Sequence, residues 1–309
     1  MRLERDSDRW FAPAVGAVLV VAGTGLGTLM AAASGAAVGC AAGLAGAFAA
    51  RRLLGGRSAR RRALLAHPFP AQWRRFLLDN YDHYNRLPPD LRRRFEDDVR
   101  IFMAETRVTG VEATVTHELR LLVAASAVTL SVGWPDYEWD QVTEVLLYPH
   151  NFDRDDYSFD SPQFSGQAHP WGTVILSIPA LRESFADPDD AYHVGIHEFM
   201  HLVDLSQTAV HLPDLSQTRF DGVPPGLSPA RNREWVKLME HEMDRMRRGK
   251  SVIDEYGANN PAEFLAVAVE AFFESALELR RRHRQVYDIL AEYFRQDPAA
   301  WDDARGLRL

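Results

Sequence analysis

From Phe11 to Ala50 the chain carries no charged residue, a run of 40 in a sequence of 309 residues that is 25% charged overall. As a single helix it would measure roughly 60 Å, about twice the hydrocarbon thickness of a bilayer. Two shorter helices fit better. A turn near Ser34-Gly35 gives one span from about Pro13 to Ala32 and a second, shorter one from about Ala36 to Ala50. Gly23 and Gly27, then Gly35, Gly39 and Gly43, recur every four residues, the small-residue spacing that lets helices approach closely in lipid. A single span or an interfacial segment competes with this hairpin, because most of the run is Ala and Gly. Arg2 and Arg5 precede it, and Arg51, Arg52, Arg57 and Arg60 to Arg62 follow it. Basic flanks on both sides put both ends in the cytoplasm if the chain crosses twice. A cleaved signal peptide fits less well, since the run far exceeds an h-region and Glu4, Asp6 and Asp8 spoil its n-region. The expectation is a membrane anchor with its basic linker over residues 1–63, at the inner (cytoplasmic) membrane. Residues 64–309 then form one domain facing the cytoplasm.

The chain is 46% hydrophobic, enough for a sizeable core. A net charge of -8 argues against a nucleic-acid partner, which needs a basic face. Cys40 is the lone cysteine and lies in the apolar run. No internal disulfide or thiolate site is therefore available, and any bound metal must use His and carboxylate.

Past Pro68 the pattern predicts an α+β domain that is mostly helical with a small sheet. Residues 71–106 read as two helices broken at Leu87-Pro88-Pro89, and His117 to Val132 as an apolar helix. Strands are expected over Thr143 to Tyr148, which alternates weakly, and over the β-branched run Gly172 to Ile178. Asp204-Leu-Ser-Gln-Thr208 recurs as Asp214-Leu-Ser-Gln-Thr218. We read it as a tandem insertion in a surface loop, where added length is tolerated.

His197-Glu198-Phe199-Met200-His201 supplies the chemistry. Asp187 as a cap and Pro188 at the first helical position predict a helix through it. A spacing of four then stacks both imidazoles on one face, where each can reach one ion at about 2.0 to 2.1 Å. Glu198, about 100° away around the helix, is placed to touch water on the ion rather than the ion. Ile196, Phe199, Met200, Leu202 and Val203 make the surroundings apolar, so bare imidazoles would be costly to bury there. A third histidine does not follow, because positions 204 and 207 are Asp204 and Gln207. The segment Tyr256 to Glu274 offers carboxylates instead. Glu263 and Glu270 lie two turns apart on one face, and spacing alone lets either ligate. Glu263 also occupies the N3 position behind Asn260 and Pro261, where a capping box would use it differently. Asp204 is a candidate to support a ligand. His193 reads as an ordinary half-buried histidine, and His211 and His241 as solvated ones.

These residues sit within a longer pattern: Phe69-Pro70-x-x-Trp73, Tyr84-x-x-Leu87-Pro88, Tyr148-Pro149, Trp171-Gly172-x-Val174-x-Leu176-Ser177, His-Glu-Phe-x-His-x-x-Asp204, Asp221-Gly-Val-Pro-Pro225, Tyr256-Gly to Phe273-Glu274, and Phe294-Arg-Gln-Asp-Pro298. From about Pro68 to Trp301 the chain resembles the Mlc titration factor A family of zinc-dependent peptidases, also called glucose-regulated metallopeptidases. The resemblance implies a zincin-like domain holding one Zn2+ on His197, His201 and Glu263. It implies Glu198 as the general base, Tyr256 as the phenol facing the oxyanion, and Glu270 hydrogen-bonded to a ligand imidazole. Aminopeptidase-like cleavage of short peptides is the expected activity, with the Gly172 to Ser177 strand pairing with the substrate backbone. The family's name also implies a second reading, a binding module that sequesters a transcriptional repressor. The duplicated loop after Asp204 and the N-terminal hairpin depart from the family pattern.

Overall fold

The computed structural model describes residues 56–153, 164–205, 221–251, 253–304 and 306, with eight residues between 17 and 45. The chain divides into two compact units, residues 1–68 with 136–138 and residues 69–135 with 139–309. In the first, helix α1 (Gly56–Leu65) carries Arg57 and Arg61, both ion-paired with Glu138. Among the described residues no helix is long and apolar enough to cross a membrane. The hairpin expected over Pro13 to Ala50 lies outside them, apart from the eight helical positions.

The second unit is helical around a small sheet. Its elements are α2 (Ala71–Asn80), α3 (Asp82–Arg86), α4 (Pro89–Glu105), β1 (Val108–Gly110), α5 (His117–Ser131), β2 (Glu144–Tyr148), β3 (Gly166–Ala168), β4 (Thr173–Ser177) and α6 (Ile178–Ala186). Then follow α7 (Val194–Leu205), α8 (Pro229–Met246), a 3-10 turn (Glu255–Ala258), α9 (Pro261–Glu274), α10 (Ala276–Arg282), α11 (Arg284–Phe294) and α12 (Pro298–Ala304). The expected pair of helices over 71–106 is three. Leu87 and Pro88 break the chain as read, since proline cannot donate and restricts the residue before it. A second break falls at the extended Tyr81, whose hydroxyl bonds Thr129 2.5 Å away in the core.

Two buried helices and a third between them set the site. Thr116 caps α5 by accepting from Leu119 N–H, and nearly every α5 residue is buried, as expected of a helix apolar all round. α7 packs between α5 and α9. The α5 contact is close because position 195 is glycine: a Cβ there would fall 2.2 Å from Ser126 Oγ. Phe199 on α7 meets Phe102 and Trp139 edge-on at 5.8 and 5.3 Å.

The sheet runs in the order β1-β2-β4-β3, parallel except for β3 against β4. This corrects one expectation. The strand expected to receive a substrate, β4, is paired on both sides, with Leu146 opposite Ile175 and Gln167 opposite Ile175 from the other flank. It has no edge to offer. The edge nearest the functional helices is β3, which packs against α7 and whose Gly-Gln-Ala sequence gave no strand signal.

Candidate metal centre

The helix bearing the His-Glu-x-x-His motif starts later than Asp187-Pro188 suggested. Asp187 ends α6, and Ala191 adopts a left-handed φ of 63° that no helix continues through. Two groups from elsewhere, with the adjacent His193 ring, then receive the free N–H groups around the start of α7. Glu270 Oε2 accepts from His193 N at 2.5 Å, Ser184 Oγ from Val194 N at 3.0 Å, and His193 Nδ1 from Ile196 N at 3.2 Å. His193 is thus fully buried rather than half-buried, and burial pushes its pKa down to about 3. It works as a neutral cap and turns away from the ligand stripe.

His197 and His201 lie one turn apart on one face, their rings edge-to-face with centroids 4.8 Å from each other. Across from them α9 opens as its sequence predicts, with Asn260 Oδ1 accepting from Glu263 N at 3.1 Å. The carboxylate of Glu263 is not used as a cap. It reaches across, with Oε2 2.9 Å from His197 Nε2 and 3.5 Å from His201 Nε2. Capping and ligation had looked like alternatives because both were assigned to one side chain; Asn260 caps, and Glu263 is free to face the histidines. Two turns on, Glu270 Oε1 lies 2.7 Å from His197 Nδ1. Glu270 therefore fixes the ring so that Nε2 faces Glu263, and with its other oxygen holds the start of the helix.

His197, His201 and Glu263 can each direct one donor atom so that all lie within 4.8 Å of one another. A tetrahedral ion with ligands at about 2.0 to 2.2 Å sets them roughly 3.3 to 3.5 Å apart, so this donor set fits such an ion. Charge supports the fit. Burial works to lower the His197 pKa, but Glu270 and Glu263 hold it well above the ordinary histidine value. Burial likewise works to raise Glu263, yet His197 and His201 hold it well below the usual carboxylate range. A cation is what this cluster favours.

Glu198 is buried, and burial raises its pKa against the opposing pull of the two histidines. It lines a cavity of about 240 Å³ with His197, Tyr192, Tyr256, Val267, Ser165 and the β3 residue Gly166. Gly166 is required here: a Cβ would come 2.5 Å from Glu198 Oε1. Tyr256, on the 3-10 turn before α9, is 42% exposed with its ring 6.2 Å from that of His197. Asp254 sets that turn by accepting from Tyr256 N at 2.7 Å.

The remaining sequence candidates fall elsewhere. Asp204 accepts from Gly222 N at 3.0 Å, and burial raises its pKa to about 8. His241 is exposed. His211 and most of the duplicated 204–218 loop lie outside the described residues. Sequence reasoning missed Tyr192, Gly166 and Ser184, none of which belongs to a recognisable motif.

Residues 56–295 match the family described as glucose-regulated metallo-peptidase M90. An uncharacterized protein of Synechocystis sp. is 27% identical over 250 residues, 77% of this chain and 89% of that one. Proteins named Mlc titration factor A are similar too. That of Edwardsiella ictaluri is 30% identical over 63% of this chain and 74% of its own, and that of Yersinia pestis 31% over 59% and 67%. With three-quarters of its length under the family pattern and a metal-ready His-His-Glu group in the expected place, the chain belongs to the glucose-regulated metallo-peptidase M90 family.

Proposed function

We propose that the chain is a zinc-dependent peptidase in which His197, His201 and Glu263 hold the ion, Glu198 moves the proton and Tyr256 receives the oxyanion. The observation that carries this reading is the convergence of Glu263 Oε2 on both Nε2 atoms while Glu270 fixes the opposite face of His197. When bound there, zinc supplies Lewis acidity for the peptide carbonyl and lowers the pKa of water to about 7. Glu198 takes a proton from the attacking water and returns it to the departing amine; its raised pKa suits both halves of that task. The Tyr256 hydroxyl donates to the oxygen on which charge develops. The edge of β3, unpaired among the described strands and beside Glu198, aligns an extended peptide as an added strand.

Aminopeptidase-like action on short peptides, which the family resemblance implies, is the specificity we assign. Residues 1–63 are assigned as the anchor at the inner membrane and 64–309 as the peptidase domain facing the cytoplasm; the uncharged run and its basic flanks support this. Zinc content and turnover of the full chain on a fluorogenic amino-acid and peptide panel test the central reading. Protein without zinc or turnover would end it. The name Mlc titration factor A among the relatives favours one alternative, a binding module that sequesters a transcriptional repressor with little or no catalysis. Partner binding and biological function retained in a Glu198→Gln variant would favour that alternative.

A further inference from the structure

The groove beside Glu198 is closed at one end. β3 runs directly over Glu198: a Cβ on Gly166 would meet Glu198 Oε1 at 2.5 Å and Val194 Cγ2 at 2.8 Å. A scissile bond within reach of Glu198 therefore lies against Gly166. One residue before it, about 3.3 Å along the chain, Ser165 lines the same cavity as Tyr192. One residue further still, Phe164 exchanges both backbone hydrogen bonds with Phe152 at 3.0 Å, so its groups are not free to pair with a substrate. In the other direction the strand continues through Ala168 into a turn where Trp171, stacked on His169 at 4.4 Å, is 61% exposed.

The wall is built rather than loosely draped. Ala191 holds a left-handed φ of 63°, a conformation costly for a residue with a Cβ that persists only where its surroundings impose it. On either side of it, Tyr192 N donates to Asp190 Oδ1 at 2.8 Å and His193 N to Glu270 Oε2 at 2.5 Å. Ser275 Oγ donates to Asp189 O at 3.1 Å, tying the same loop to the end of α9. Tyr192 lines the cavity beside Ser165, Gly166 and Glu198 while remaining 39% exposed.

We propose that Tyr192, beside Ser165 on the cavity wall, is the specificity-determining stop of this cleft, limiting substrates to about one residue beyond the scissile bond on its side. The inference rests on the peptidase reading above and assigns that site its substrate length. It gives exopeptidase behaviour a physical cause in one side chain.

The test digests a proteome-derived peptide library with the full-length wild type and with Tyr192→Ala and Tyr192→Phe, mapping every cut by mass spectrometry. Wild type is expected to cut near one terminus only. Tyr192→Ala should raise cuts with two or more residues on the closed side by about tenfold or more, whereas Tyr192→Phe, which keeps the ring, should keep the restriction. Because loss of the ring can disturb the loop, Tyr192→Leu serves as a second opening variant and should shift the cuts in the same direction. A wild type cutting internal bonds freely, or folded Ala and Leu variants with the wild-type cut pattern, would overturn the proposal while leaving the peptidase reading intact. An inactive, zinc-free wild type would instead overturn that reading together with the inference resting on it.

Discussion

Among the described residues, two largely buried histidines, His197 and His283, each have a carboxylate at Nδ1, and only His197 belongs to a group that could hold a metal ion. His197 has Glu270 at 2.7 Å, and His283 has Glu242 at 3.0 Å. Their Nε2 atoms differ. That of His197 faces Glu263, with His201 beside it, on the wall of a cavity. That of His283 lies 3.5 Å from Ser251 Oγ. The second cluster looks like a Ser-His-Glu triad on paper, yet its imidazole side chain is fully buried, on the residue that directly precedes α11. An orienting carboxylate is therefore common to structural and functional histidines. What distinguishes the site is a second and third donor converging on the free nitrogen, with space for a substrate beside them.

The sharpest way to break this comparison is Glu198→Gln, expected to lower kcat about a thousandfold while zinc stays bound, because the proton carrier is lost and the donors are kept. Single-turnover rates and metal analysis on the same sample check it. Next, Tyr256→Phe should lower kcat by about a hundredfold with KM little changed, the mark of an interaction made in the transition state. Removing the orienter, Glu270→Gln, should weaken zinc by about 10 to 100-fold in chelator competition, as for other partners of ligand imidazoles. Glu242→Gln, the matching change at His283, should leave zinc affinity and turnover unchanged while lowering stability by about 1 to 3 kcal/mol in urea unfolding. A fall in zinc affinity there would erase the contrast between the two clusters.

pH gives a smaller, graded test. The raised pKa of His197 stabilises the zinc-free fold fully below its unfolded value and loses that contribution as pH rises through the folded value. The depressed pKa of Glu263 contributes above its unfolded value and is lost as pH falls through the folded one. Zinc must displace the proton from His197, so its affinity rises with pH. Stripping zinc with a chelator should accordingly lower Tm more at pH 8 than at pH 6, read by thermal melts in matched buffers.

Much of the centre was legible in the chain, because helices write local rules. The spacing of His197 and His201 fixes their common face, and Asn260-Pro261 marks the start of α9, as the 3.1 Å cap bond bears out. What failed was non-local. Asp187-Pro188 has the signature of a helix start, but the caps α7 uses come from Ser184, His193 and Glu270, and only folding brings Glu270 within reach. The β-branched run of β4 announces a strand without its neighbours, so sequence could not show that it is interior. The edge strand β3, being Gly-Gln-Ala, announces nothing; its glycine answers to Glu198 rather than to strand propensity. Tyr192 belongs to no pattern, and its place follows from the left-handed turn at Ala191.

The most direct measurement is anomalous scattering at the zinc edge from crystals of the full-length protein grown with zinc. The account predicts one peak at about 2.0 to 2.2 Å from His197 Nε2, His201 Nε2 and a Glu263 carboxylate oxygen, and its disappearance in Glu263→Ala. A peak ligated by other residues, or none at this cluster, would contradict it.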